Sequence, residues 1–273
     1  MSLELFNGDC LEIMKELPDK SIDCFICDLP YGCLSSPRAT MKAGWRKLKE
    51  QGLMPPLRRE SELQCSWDIK IDLEAFWKEV KRLAKNDDTP VIHFCTTKFG
   101  IELINSNPSW FRYDLVWDKG RGVSFLSANK MPMRSHEMIY VFAKKGSYYN
   151  RVDIKGDFKK WEKEPNSVRK NKVYTNEIVR LPEGGDGKRC ALSVININQK
   201  ASYQMKGKHP TEKPIELYKW LIERYCPVGG TLLDPTAGSC NSLFAARELG
   251  RKSIGIEKDE GFFTKASKRI ESL

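Results

Sequence analysis

Asp28-Leu29-Pro30-Tyr31 closes an apolar run, Ile22-Asp23-Cys24-Phe25-Ile26-Cys27. Asp28 offers a carboxylate acceptor, Leu29 a backbone carbonyl whatever its side chain, and Tyr31 a π-face. Pro30 fixes the turn and removes a backbone donor. Two acceptors beside an aromatic plate suit an exocyclic amino group on a stacked ring. The amino group would give one proton to Asp28 and one to the Leu29 carbonyl, which frees its lone pair to attack a methyl carbon. Read alone, the four residues are also compatible with a plain turn.

A second acidic turn, Leu232-Leu233-Asp234-Pro235-Thr236-Ala237-Gly238-Ser239, lies far downstream. A strand, an Asp, a glycine-containing turn and a helix resemble a nucleotide-binding crossover. A diphosphate would require G-x-G-x-x-G, so that the backbone can approach the phosphates. Here Gly238 stands alone, followed by Ser239, Cys240, Asn241 and Ser242. The turn therefore suits a cofactor without phosphate. Glu257 ends the next predicted strand, at about the distance where an acid binds a ribose diol. The missing glycines disfavour a nicotinamide-dependent dehydrogenase.

Strands and helices must carry these two turns to one place. Short strands are expected at 3–7, 22–27, 90–95, 114–117, 138–143, 231–233 and 253–257. Helices are expected at 11–17, 72–84, 98–105, 215–225, 242–249 and 261–270, with Pro214 in the first turn of the fourth. The alternation predicts an α/β fold, a doubly wound, mostly parallel sheet covered on both faces. Ligands of such sheets bind beyond the carboxyl ends of the strands, where the strand order reverses. If the strands bearing Asp28 and Asp234 flank that point, ring and cofactor meet there.

With both turns in view, the chain resembles the amino-group DNA methyltransferases. Asp28-Leu29-Pro30-Tyr31-Gly32 is similar to their D-P-P-Y motif, and Leu232 to Ser239 to their D-P-F-x-G-S-G motif. His209-Pro210-Thr211-Glu212-Lys213-Pro214 resembles their H-P-T-x-K-P element. Val116-Trp117-Asp118-Lys119 and the stretch His136 to Phe142 are also similar. The order, catalytic motif first and cofactor motif last, matches the family's beta arrangement, and the resemblance covers most of residues 3–145 and 209–270.

The resemblance implies a class I methyltransferase fold with circularly shifted motifs and a target-recognition insertion. Residues 1–145 would be the catalytic half with a basic loop at 33–66, 146–208 the insertion, and 209–273 the cofactor half. Asp28, Leu29 and Pro30 would hold the target amino group and Tyr31 would stack on a flipped base. Asp234, Pro235, Thr236, Ala237, Gly238 and Ser239 would line the S-adenosylmethionine pocket, and Glu257 would bind the ribose. Asp9 would reach the cofactor's adenine ring, and Thr211 and Lys213 its methionine end. Asp rather than Ser at position 28 favours adenine N6 over cytosine N4. An RNA methyltransferase and a catalytically silent DNA-binding relative are the other readings. Leu29 in place of the first Pro, Thr236 in place of Phe, and Cys240-Asn241 in place of Gly-Thr depart from the family pattern.

Composition agrees with a polyanionic partner. The 273 residues carry a net charge of +10, with 40% hydrophobic residues. Arg38, Lys42, Arg46 and Lys47 cluster after the first turn, and Lys159, Lys160 and Lys163 in the middle, with Trp45, Phe158, Trp161 and Tyr174 interleaved. These seven basic residues are the candidate contacts to double-stranded DNA. No apolar run approaches the roughly 20 residues that span a bilayer, and no signal peptide is evident at the start. A cytoplasmic bacterial or phage protein is expected; the resemblance leaves a homodimer and a cognate restriction endonuclease open. The nine cysteines are scattered. The one C-x-x-C, Cys24 to Cys27, lies on a predicted strand, where residues three apart face opposite ways, so no metal site is expected. His93 reads as a core histidine with its hydrogen bonds satisfied, His136 as preceding a strand, and His209 as a turn residue.

Neutralising Lys159, Lys160 and Lys163 together is expected to weaken DNA binding and to lower the salt slope by roughly one unit per lost phosphate contact. Titrations of a DNA duplex at several salt concentrations measure this; an unchanged slope would remove these residues from the interface.

Overall fold

The computed structural model describes residues 1–32, 69–123, 128–155, 188–199 and 212–272. The candidate DNA contacts Arg38, Lys42, Arg46, Lys47, Lys159, Lys160 and Lys163, and Thr211 and His209, lie outside the described residues. Met1–Asn150 with Ser193–Leu273 form one compact unit, and Arg151–Leu192 a second.

In the first unit the chain runs β1 (Leu3–Asn7), α1 (Cys10–Glu16), β2 (Cys24–Cys27), α2 (Leu73–Leu83), β3 (Val91–Cys95), α3 (Thr97–Ser106), β4 (Phe111–Val123) and β5 (Arg134–Phe142). In the second unit β6 (Ile154–Lys155) pairs antiparallel with β7 (Lys188–Arg189). The first unit resumes with β8 (Val194–Asn196), α4 (Ile215–Tyr225), β9 (Thr231–Asp234), α5 (Asn241–Glu248), β10 (Lys252–Glu257) and α6 (Glu260–Glu271).

Among the described residues eight strands make one sheet in the order β1-β10-β9-β2-β3-β5-β4-β8. Every neighbouring pair is parallel except the two that involve β5, which runs against both β3 and β4. From β2 the chain crosses through α2 to β3 on one side. From β9 it crosses through α5 to β10 on the other. Those two strands are hydrogen-bonded neighbours, with Cys24 opposite Leu232 and Phe25 opposite Leu233. The order therefore reverses between β2 and β9.

Alternation along the central strands builds two cores. Phe25 and Cys27 of β2, Val91 and Cys95 of β3 and Leu233 of β9 pack with α1, α2 and α3. Cys24 and Ile26, Ile92 and Phe94, and Leu232 face the other way, onto α4 and α5. Two buried faces explain why these strands read as continuous apolar runs. They also send Cys24 and Cys27 into different cores. Helix starts follow capping chemistry: Asp9 accepts from the Leu11 amide, Asp72 from those of Glu74 and Ala75, and Asp259 from that of Phe262.

The structure differs from the sequence expectations at four places. β4 and β5 are longer than expected and form a hairpin whose second strand is antiparallel. His136 lies within β5 rather than before it. Pro214 caps α4 from just outside, with extended backbone, instead of occupying the first turn. His93 is fully buried, but neither ring nitrogen has a hydrogen-bond partner. It sits instead among the rings of Phe76, Trp77 and Phe142, at centroid distances of 5.4–5.6 Å.

Burial in that apolar cage pushes the His93 pKa down from 6.5 to about 3. The unfolded chain binds this proton below about pH 6.5, whereas the native chain does so only near pH 3. The contribution is thus fully present above pH 6.5 and is lost as pH falls towards 3, by up to about 1.4 kcal/mol per pH unit. His93→Phe keeps the ring and forfeits no hydrogen bond. Between pH 6.5 and 5 the wild-type chain is expected to lose roughly 1–2 kcal/mol more than this variant. Urea unfolding at the two pH values checks it, and equal acid sensitivity would refute the assignment.

Candidate functional site

The carboxyl ends of β2 and β9 open into a cavity of about 610 Å³. Its walls include Asp28, Leu29, Pro30 and Tyr31 after β2, Pro235 to Ser239 after β9, Glu257 at the end of β10, and Asp9 after β1. Lys213, just before α4, and Lys119 and Glu137, on the neighbouring strands β4 and β5, complete it. Residues far apart in the chain thus share one crevice because their strands are neighbours and point the same way.

On the β9 side the backbone turns sharply. Gly238 has φ +51° and Cys240, the residue before α5, has φ +61°. The left-handed region is open to glycine and costs any other residue. The Gly238 amide donates to Glu257 Oε2 at 2.8 Å, and the Asp259 amide to Glu257 Oε1 at 2.8 Å. These contacts orient a carboxylate that still has free lone pairs. Burial raises the Glu257 pKa, with the two amides opposing it. Gly255 lets the turn approach: an added Cβ there would lie 2.7 Å from Leu243 Cδ2 and 3.1 Å from Ala237 Cβ. Asp234 is buried, accepts from the Thr236 amide at 3.1 Å and from the Ser242 hydroxyl, and has its pKa pushed up to about 7 by burial. Its side chain serves the turn. The Thr236 hydroxyl is buried with no hydrogen-bond partner.

On the β2 side four charges meet. The Lys213 ammonium touches Asp28 Oδ2 and lies 3.5 Å from Glu137 Oε1. Lys119 holds Glu137 Oε2 at 2.9 Å. The Tyr31 hydroxyl donates to Asp28 Oδ1 at 2.8 Å and stands 3.2 Å from Glu137 Oε1. Lys213 also lies 4.5 Å from the centre of the Phe94 ring. Burial and, to a lesser degree, the Glu137 charge raise the Asp28 pKa, against the pull of Lys213. Burial disfavours ionisation of Glu137 as well, but Lys213 and Lys119 outweigh it and hold the carboxyl below its usual range. Burial likewise opposes the charge on Lys213, and the two carboxylates more than restore it. Tyr31 packs against Phe99, ring centroids 5.1 Å apart, and burial pushes its phenol pKa well up. Asn241 fixes the approach of Lys213: its amide donates to the Lys213 carbonyl at 2.9 Å and to Glu212 Oε1 at 3.1 Å.

Asp9 caps α1 through Oδ1 and pairs with Lys258 through Oδ2 at 2.9 Å, on the cavity wall near Glu257. Lys213, expected at the methionine end of the cofactor, has its ammonium on Asp28. Sequence reasoning assigned no role to Glu137, Lys119 or the Thr236 hydroxyl. The strands of the first two carry several other charged residues, so charge alone did not single them out; Glu137 lies directly opposite Trp117 across the β4–β5 ladder. Among the described residues no group of three or more His, Cys, Asp or Glu side chains could hold a metal ion. No helix among them is long and apolar enough to cross a membrane.

The sequence profile of the DNA methylase family matches residues 22–268. The type II methyltransferase M.XycI of Xanthomonas campestris pv. cyanopsidis is 24% identical, over 98% of this chain and 87% of that protein. The type II methyltransferase M.HindIII of Haemophilus influenzae is also 24% identical, over 97% of this chain and 94% of that one. Among solved structures, that of the M1.HpyAVI–SAM complex superposes with a TM-score of 0.57 at 18% identity, covering 98% of each chain. PvuII DNA methyltransferase, described as cytosine-N4-specific, gives 0.60 at 14% identity, over 98% of this chain and 86% of that one. These likenesses in structure concern the fold. The chain belongs to the DNA methylase family: it is an amino-group DNA methyltransferase with a class I methyltransferase fold, and its methyl donor is S-adenosylmethionine.

Proposed function

We propose that the chain methylates N6 of adenine at a defined sequence in double-stranded DNA, after turning the target base out of the helix. The observation that carries this reading is the single cavity shared by Asp28, Leu29, Pro30 and Tyr31 with the Gly238 turn and Glu257. Asp at position 28 supports adenine over cytosine. The type II names of M.XycI and M.HindIII support a defined recognition sequence and a companion endonuclease.

Glu257, already oriented by two amides, would accept the ribose hydroxyls. The amides and carbonyls from Pro235 to Ser239, with the partnerless Thr236 hydroxyl, would line the remainder, and Asp9 the adenine end. A single-glycine turn and a carboxylate form a donor set suited to an uncharged nucleoside rather than to phosphate. S-adenosylmethionine supplies an electrophilic methyl group whose bond to sulfur breaks as the bond to nitrogen forms. The chain supplies position and charge. Asp28 and the Leu29 carbonyl accept the two amino protons and draw the nitrogen out of conjugation with the ring. Tyr31 offers its face to the extruded base, and stacking returns roughly 1–3 kcal/mol of the cost of flipping. The nitrogen sheds one proton on methylation, and Asp28, its pKa already raised, is placed to take it. The loop at 33–66 and the insertion at 146–208 would contact DNA and choose its sequence.

Glu257→Ala is expected to weaken S-adenosylmethionine binding by roughly 10- to 100-fold, the value of hydrogen bonds to a charged acceptor. Calorimetry reads this directly, and tighter binding of NAD than of S-adenosylmethionine would defeat the pocket assignment.

Asp28→Ala should lower methyl transfer by at least about 100-fold while leaving cofactor affinity nearly unchanged. Tyr31→Phe should be mild because the ring survives, and Tyr31→Ala severe. Transfer of labelled methyl groups to duplex DNA, followed by nucleoside analysis, provides the measurement. N6-methyldeoxyadenosine is the expected product; N4-methyldeoxycytidine would reassign the target base, and near-normal turnover by Asp28→Ala would reject the site.

A further inference from the structure

Asp28 is a weakened acceptor for an incoming amino group in the arrangement described. Its Oδ2 is taken by the Lys213 ammonium and its Oδ1 by the Tyr31 hydroxyl. An ammonium in contact neutralises the carboxylate as an acceptor, and electron density at the target nitrogen depends on that acceptor. Each oxygen keeps a second lone pair, so neither partner blocks the amino group outright, but full acceptor strength returns only as the ammonium moves away. Both have the same alternative at hand. Glu137 Oε1 lies 3.5 Å from the Lys213 ammonium and 3.2 Å from the Tyr31 hydroxyl. A direct ion-pair contact is about 2.7–2.9 Å, so a shift of less than about 1 Å carries Lys213 from one carboxylate to the other.

We propose that Glu137 is a positioning residue that takes Lys213 off Asp28 as the target base enters. The inference rests on the reading of Asp28 as the amino-group acceptor. Charge balance favours a relocation over a loss. Asp28 and Glu137 contribute two negative charges, Lys213 and Lys119 two positive, and the group is nearly closed to solvent. Removing an ammonium from such a site would strand a buried carboxylate. Moving it keeps the sum at zero, while the amino protons replace it on Asp28. Lys119 anchors Glu137 from its far oxygen, and so holds Oε1 at the hand-over point. The Phe94 ring under the ammonium is a surface along which a cation slides without losing all its attraction. The fold separates the parts: Asp28 follows β2, Glu137 sits on β5, and Lys213 hangs from the segment that Asn241 pins.

Glu137→Gln preserves shape and hydrogen bonding and removes the charge that would receive Lys213. At saturating DNA and S-adenosylmethionine, its single-turnover methyl transfer is expected to fall roughly 10- to 100-fold, with cofactor affinity within about twofold of wild type. Glu137→Asp, which keeps the charge, should recover part of the rate. Lys213→Met supplies the second arm. With no ammonium to relocate, adding Glu137→Gln to Lys213→Met should change the rate by less than about twofold; the loss of rate at unchanged cofactor affinity and its partial recovery in Glu137→Asp are what a merely structural coupling would not give. Wild-type turnover by Glu137→Gln, independent multiplication of the two losses, or loss of cofactor binding in Glu137→Gln would each overturn the proposal. An active Asp28→Ala enzyme would instead reject the underlying reading of Asp28. An inactive Asp28→Ala beside a fully active Glu137→Gln would reject the relocation alone.

Discussion

The pairing of β2 with β9 is the constraint on which the rest depends. Crossovers leave these two strands in opposite directions along the sheet, so a crevice opens between the described turns beyond their carboxyl ends. Asp28 and Asp234 stand at those ends. The distance between them along the chain is therefore immaterial; what counts is that one hydrogen-bonded ladder holds both turns. Methyl transfer from an activated sulfonium needs alignment more than covalent help, and central parallel strands buried on both faces are a suitable source of alignment.

The second constraint is electrostatic. Asp28, Glu137, Lys213 and Lys119 are drawn out of water into one wall of the cavity. Each ionised group would be costly there alone, and together they are tolerable because their charges cancel and their hydrogen bonds are mutual. Such a cluster has more than one arrangement of similar energy. The site is in this sense built from a stiff part, the sheet and its apolar cores, and a part that rearranges at small cost, the ion pairs. Lys213 belongs to the second part. The resemblance implies a place at the methionine end of the cofactor; it lines the shared cavity, and its ammonium reaches the carboxylate proposed to hold the target.

The turn after β9 shows how local chemistry and tertiary contact divide the work. Gly238 supplies a left-handed backbone by its own nature. Its amide is useful because Glu257, one strand away, receives it. Asp234 looked like a lining residue in the linear motif. Buried and bonded to Thr236 and Ser242, its side chain instead holds the turn in shape. Gly255 gives no hint in the sequence of why it is glycine. The reason is the approach of Leu243 and Ala237 from the helix and turn packed over it.

By itself the sequence determined the alternating elements, the parallel and doubly covered nature of the central strands, and the two acidic turns with their chemistry. These are local properties: apolar runs, caps, a proline and a glycine act through their immediate neighbours in the chain. It also separated Cys24 from Cys27, because alternation on a strand is a geometric rule. Only the tertiary structure decided that β5 runs backwards, since an extended segment carries no mark of the direction in which it will pair. Only packing decided that His93 would be held by aromatic rings in place of hydrogen bonds. The meeting of Glu137 and Lys119 with Asp28 and Lys213 was likewise not legible, because it is fixed by strand order and register. Residues from four segments come within a few ångströms only after the sheet has closed, and no spacing along the chain records that distance.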